Sequence, residues 1–139
     1  MDITQLKADL IREQGKRLTV YKDRFGYLTV GVGHLVVPSD KLNEGQHISE
    51  LRCDDFLEED LSIAVSGAEK AVPAFHILPD PVQRLLVCLC FTVGYAYLCK
   101  FKKFLASVNI QDFRTAAKEI YSLGFRHYSA VLLKQQELL

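Results

Sequence analysis

The chain has no excess of charge of either sign. Lysine plus arginine and aspartate plus glutamate both number 17, so the formal net charge is zero. That removes the global positive potential by which proteins gather nucleic acid, and an anionic polymer would have to be met by a local basic patch. Long apolar runs are missing too: the longest uncharged stretch, residues 85–99, contains Gly94 and falls short of the ~20 apolar residues that span a bilayer. The first ten residues, MDITQLKADL, lack the apolar core of a secretory signal. Cysteine is present, as Cys53, Cys88, Cys90 and Cys99, but without a CxxC pair. Cys88 and Cys90 point to different faces of a helix, so neither a zinc site nor a disulfide framework is indicated. Buried, reduced thiols and synthesis in a reducing compartment are the expectation. No repeat, low-complexity tract or disordered linker interrupts the chain.

What is there is an ordinary globular composition, 49% hydrophobic and 24% charged over 139 residues, which fits one domain. Ile3, Leu6, Leu10 and Ile11 recur at helical spacing between Asp2 and Gly15, predicting a first helix over 3–14. The β-branched and aromatic segments LTVYKD and YLTVGVGHLVV, separated by Arg24, Phe25 and Gly26, predict a hairpin, with a third short strand near 35–37. A polar loop over 38–45 precedes a long helix over about 49–72, opened by Ser49 and ended by Pro73. Asp80 and Pro81 read as an N-cap and first helical residue. They open a helix whose apolar run from Leu85 to Phe91 leaves it no solvated face. Further helices are expected from Phe101, from Asp112 to the stop at Gly124, and over 128–137. The fold class is therefore α+β and predominantly helical. A small lobe over about 12–50 is joined by the 49–72 helix to a helical lobe over 73–139 that also takes in the N-terminal helix.

The chemistry concentrates in LIREQGKRLTVYKDRFGYLTVGVGHL. Two carboxyls, Glu13 and Asp23, and the hydroxyl of Thr29 can converge around a glycine-punctuated hairpin. Each also has an ordinary explanation. Asp23 can cap the turn, Thr29 is a normal strand residue, and the glycines suit any tight hairpin. Tyr21 and Tyr27 can simply pack, and His34 reads first as a hydrogen-bonded structural histidine. What raises the functional reading is their joint order: Gly15, Tyr21, Asp23, Gly26, Thr29, Gly31, Gly33 and His34.

In that order and spacing the chain resembles the T4-type phage lysozymes. There a Glu-Gly pair ends the first helix, Tyr-x-Asp follows on a strand, and Gly-x-x-Thr-[Ile/Val]-Gly-x-Gly-His completes a cleft. Fainter likeness runs through the long helix and CFTVG, where Thr92 stands for the family's Asn, and SLGFRHY replaces a Ser-Arg-Trp-Tyr-like stretch. The resemblance implies a lysozyme-like two-lobed fold. It also implies a bacteriolytic glycoside hydrolase that cleaves the N-acetylmuramic acid to N-acetylglucosamine bond of peptidoglycan. A Glu would protonate the leaving oxygen, while Asp23 and Thr29 position water on the opposite face, with inversion. Such chemistry needs carboxyls roughly 6.5–9.5 Å apart and an acid that keeps its proton. Tyr21, Tyr27 and His34 would contact substrate, and no metal or organic cofactor is implied. The expected partner is bacterial peptidoglycan, with no nucleic acid and no membrane span, for a monomer made in the host cytoplasm that reaches the wall after release. Lys16, Arg17, Lys22 and Arg24 are candidates for a local positive field.

The departure is at the acid. The family's Glu aligns with Gln14, and Glu13 lies one residue earlier, about 100 degrees around the helix. A primary amide cannot serve as a general acid. Either the helix end turns Glu13 toward the sugar, or the acid is neutralised in this chain, or the fold has been repurposed. The alternative to an active hydrolase is thus a catalytically silent peptidoglycan-binding or inhibitory module. A structural protein that binds a partner through its helical lobe is the remaining option.

Overall fold

The computed structural model describes all 139 residues and divides them into two compact units. One comprises residues 3–62 and the other residues 63–139 with Met1 and Asp2. The boundary falls inside a single continuous helix.

The first unit opens with helix α1, Ile3–Gln14, which buries Leu6, Asp9 and Leu10. Gly15 ends it at φ +76°, donating its amide to Ile11 O over 2.8 Å. A left-handed C-terminal stop of this kind favours glycine. Strands β1 (Arg17–Lys22), β2 (Leu28–Gly31) and β3 (His34–Leu35) form an antiparallel sheet in that order. Tyr21 is paired with Thr29, and Thr29 with Leu35, while an irregularity separates Arg17 from Tyr21. The outer edge of β1 is covered rather than exposed: Ile48 donates to Leu18 O and Val20 to Gln46 O. Covering an edge in this way blocks strand-to-strand aggregation.

Helix α2 spans Glu50–Ala71, and Ser49 Oγ caps it by accepting from the Arg52 amide at 3.0 Å. Its first part belongs to the hairpin unit, where Cys53, Phe56, Leu57 and Leu61 are buried. Helix α1 also groups with the strands, not with the helical unit that the sequence reading assigned it to. Lys7 pairs with Glu58 and Lys16 with Glu50, both on α2 within the same unit.

The second unit is wholly helical. Helices α3 (Asp80–Val93), α4 (Tyr95–Leu98), α5 (Lys102–Asn109), α6 (Phe113–Ser122) and α7 (Arg126–Glu137) follow the end of α2. Residues 85–90 of α3 are buried without interruption, as their composition requires. The start of α3 is one residue earlier than expected. Pro79 is the N-cap, and Asp80, inside the first turn, accepts from the Asp2 amide and from Arg84 Nε. Asp112 caps α6, accepting from the Thr115 amide and hydroxyl. No disulfide joins the cysteines, of which Cys53, Cys88 and Cys90 are buried and Cys99 half-buried. No helix is long and apolar enough to cross a membrane.

Candidate functional site

The hairpin turn is organised by Asp23. Its Oδ1 accepts from the amides of Phe25 and Tyr27, each at 2.9 Å, and its own amide donates to Tyr27 O. Gly26 completes the turn at φ +87°. The capping role is therefore real, yet it uses one carboxylate oxygen and leaves Oδ2 for another partner. Thr29, on β2, is buried and donates its hydroxyl to Tyr27 O at 3.1 Å. Tyr21 is its cross-strand neighbour, with the Arg17 guanidinium 3.8 Å from the ring centroid. Tyr27 is 63% exposed.

The end of α1 brings Gln14 against the hairpin. A Cβ built on Gly33 would stand 2.8 Å from Gln14 Oε1 and 3.3 Å from its Cβ and Cδ. Gln14 thus lies across the β2–β3 turn, against a backbone that only glycine leaves open at φ +64°. Glu13, one residue back, is half-buried, with Oε2 closed off from solvent.

His34 occupies a lock between two carboxylates. Its Nδ1 is 2.7 Å from Asp60 Oδ2, its Nε2 is 2.9 Å from Asp40 Oδ2, and its ring stacks on Phe56 at 3.9 Å. Burial alone would lower the imidazole pKa. The hydrogen bonds to Asp60 and Asp40 outweigh it and hold the pKa above its ordinary value. Asp40 is shifted down: burial opposes this, but the Val37 amide, His34 and Arg52 prevail. Both ring nitrogens are therefore committed within the protein. Phe56 belongs to the apolar stripe expected of the long helix, but Asp60 did not stand out in the sequence, although its spacing places it on the same helix face, an acid one turn beyond a buried aromatic. Asp40, in the loop, left no such signal.

The proposed positive field is weaker than the sequence suggested. Lys16 is paired with Glu50 at 2.7 Å and Lys22 with Glu44 at 3.9 Å, leaving the guanidinium groups of Arg17 and Arg24 over aromatic rings. No cluster of three or more His, Cys, Asp or Glu side chains is arranged to hold a metal ion.

Known proteins match most of the chain, including the stretch from the end of α1 through the Asp23 turn to His34. The phage lysozyme family matches residues 12–129. The chain belongs to the phage lysozyme family. Among phage lysozyme relatives, "Probable T4-type lysozyme 2" of Dictyostelium discoideum is 25% identical over 140 aligned residues, covering 85% of this chain and 82% of that protein. "Probable T4-type lysozyme 1" of the same organism is 24% identical over 148, covering 90% and 86%. The "Endolysin" of Salmonella phage P22 is 30% identical over 118, covering 83% and 75%. The small hairpin unit, the long helix and the helical unit are those of the lysozyme fold, and membership places the chain among glycoside hydrolases by descent.

Proposed function

We propose that this phage lysozyme family member binds peptidoglycan glycan along the Asp23 and Thr29 side of its hairpin and, as it stands, does not cleave it efficiently. The observation that carries this reading is Gln14 lying on Gly33, at the position where the family resemblance expects the acid. An amide has no proton to give at neutral pH, and losing general acid catalysis costs about 10²–10⁴ in rate. The remaining parts stay in order. Asp23 keeps one oxygen outside the turn it caps, and the sheet fixes Thr29 opposite Tyr21. The target linkage would be the N-acetylmuramic acid to N-acetylglucosamine bond, and restoring the acid would restore inverting hydrolysis.

A second reading has its own observation. Glu13 offers a half-buried carboxyl beside Gln14, so hydrolysis through Glu13 would make the chain a lysozyme without the usual acid. Sedimentation with purified sacculi and turbidity loss of chloroform-treated Gram-negative cells separate the two. The expected result is co-sedimentation without lysis, and lysis by Gln14→Glu. Robust lysis by the natural chain that disappears in Glu13→Gln would reject the silent reading in favour of the second. Absence of both sedimentation and lysis, in the chain and in Gln14→Glu, would sink both.

A further inference from the structure

The helical unit carries a groove for which the glycan reading has no use. It lies between α6 and α7, has a volume of about 510 Å³, and is walled by Ala117, Leu133 and Tyr121. Volumes of about 300–1,000 Å³ are typical of small-molecule sites. Its only charged lining residues are Arg114 and Lys118, one helical turn apart on the same face of α6, and no carboxylate lines it. Two cations one turn apart give this groove a positive charge that nothing in its lining offsets.

The hydroxyls make a second, independent point. Ser122 Oγ is committed, donating to Lys118 O at 3.0 Å. Ser129, also in the lining, is 7% exposed and adds a hydroxyl to the wall of the groove that a ligand's polar atom could meet. Contacts tie the two helices together at both ends of the groove. Gln136 of α7 accepts from the amides of Phe113 and Arg114 at the start of α6, while Arg126 lies 5.2 Å from the Tyr121 ring at the other end.

We infer that this groove binds a monomeric anionic amphiphile, a medium-chain fatty carboxylate. Its tail lies on Ala117, Leu133 and the Tyr121 ring, and its carboxylate meets Arg114 and Lys118 within reach of Ser129. Charge-assisted hydrogen bonds fix the head, and apolar burial holds the tail.

The test is a titration of the full chain with sodium decanoate below its micellar concentration, followed by amide chemical shifts. The expected result is saturable one-site binding, with shifts confined to residues 113–133. Decanol, which has the same tail without the charge, should bind at least about tenfold more weakly. The double variant Arg114→Glu, Lys118→Glu should lose at least about as much affinity. Its amide spectrum outside these helices should be unchanged. Non-saturating shifts spread over the surface, equal binding of decanol and decanoate, or binding only to anionic phospholipid vesicles would overturn the inference. The decanol comparison uses the natural chain, so the answer survives a variant that fails to fold.

Discussion

In the hairpin unit the contacts that matter are polar and local: His34 between Asp40 and Asp60, Asp23 with two turn amides, Gln14 against the bare backbone of Gly33. In the helical unit they are apolar and distributed, with Leu86, Leu89, Leu98, Phe104, Phe113, Ile120 and Leu132 all fully buried. A network of few specific partners is sensitive to pH and to the identity of single atoms. A packed core is sensitive to volume and indifferent to both.

The largest break in that comparison should come from the core. Phe113→Ala is expected to cost about 3–5 kcal/mol in urea denaturation, because the surrounding helices cannot fully collapse into the space. A loss under ~1 kcal/mol would mean the helical unit is far more plastic than its packing implies. Next is His34→Ala, expected to cost about 2–3 kcal/mol through lost charge-assisted hydrogen bonds. Its signature is in pH. With the His34 pKa raised above 6.5, its stabilisation is complete below that value and is lost as pH rises through the folded-state pKa. Asp40, lowered from 3.8, contributes above that value and loses its contribution as pH falls. Stability from the lock should therefore peak between these limits, and His34→Ala should remove its alkaline flank while Phe113→Ala leaves it intact.

Gly33→Ala should cost about 1–2 kcal/mol from the left-handed backbone alone, with the Gln14 clash added. Adding Gln14→Ala should recover only the clash. Full additivity of the two changes in a double-mutant cycle would show that Gln14 does not press on Gly33 in solution. The smallest effect is expected at Asp112→Ala, about 1 kcal/mol for a lost helix cap, read as a shift in the urea midpoint.

These contrasts explain what the sequence discloses and what it withholds. Helical periodicity located α1 to its ends, and the Ser49 cap was visible because a short polar side chain before an apolar stripe has one main use. The turn at Arg24 to Gly26 was visible for the same kind of reason, since glycine there supplies the positive φ. The short helix α4 was missed because four residues carry no period, and the third strand was shifted to 34–35 because a two-residue strand has no alternation to read. The grouping of α1 with the strands and the start of α2 brings together residues far apart in the chain, as Lys7 with Glu58, and spacing along one chain does not encode such pairings. The site was legible as a family motif, but not as geometry. That Gln14 lies against Gly33 follows from a close approach of side chain to backbone, and a string of letters holds no such distance.

That close approach reaches beyond the folded molecule. Glutamate and glutamine have nearly the same shape, so the space over Gly33 that holds Gln14 Oε1 would accept a carboxylate oxygen without rebuilding. In the genetic code each glutamine codon lies a single base from a glutamate codon. A chain that keeps this glycine therefore sits one point mutation from a carboxyl at position 14, a change that asks nothing new of the backbone beneath it.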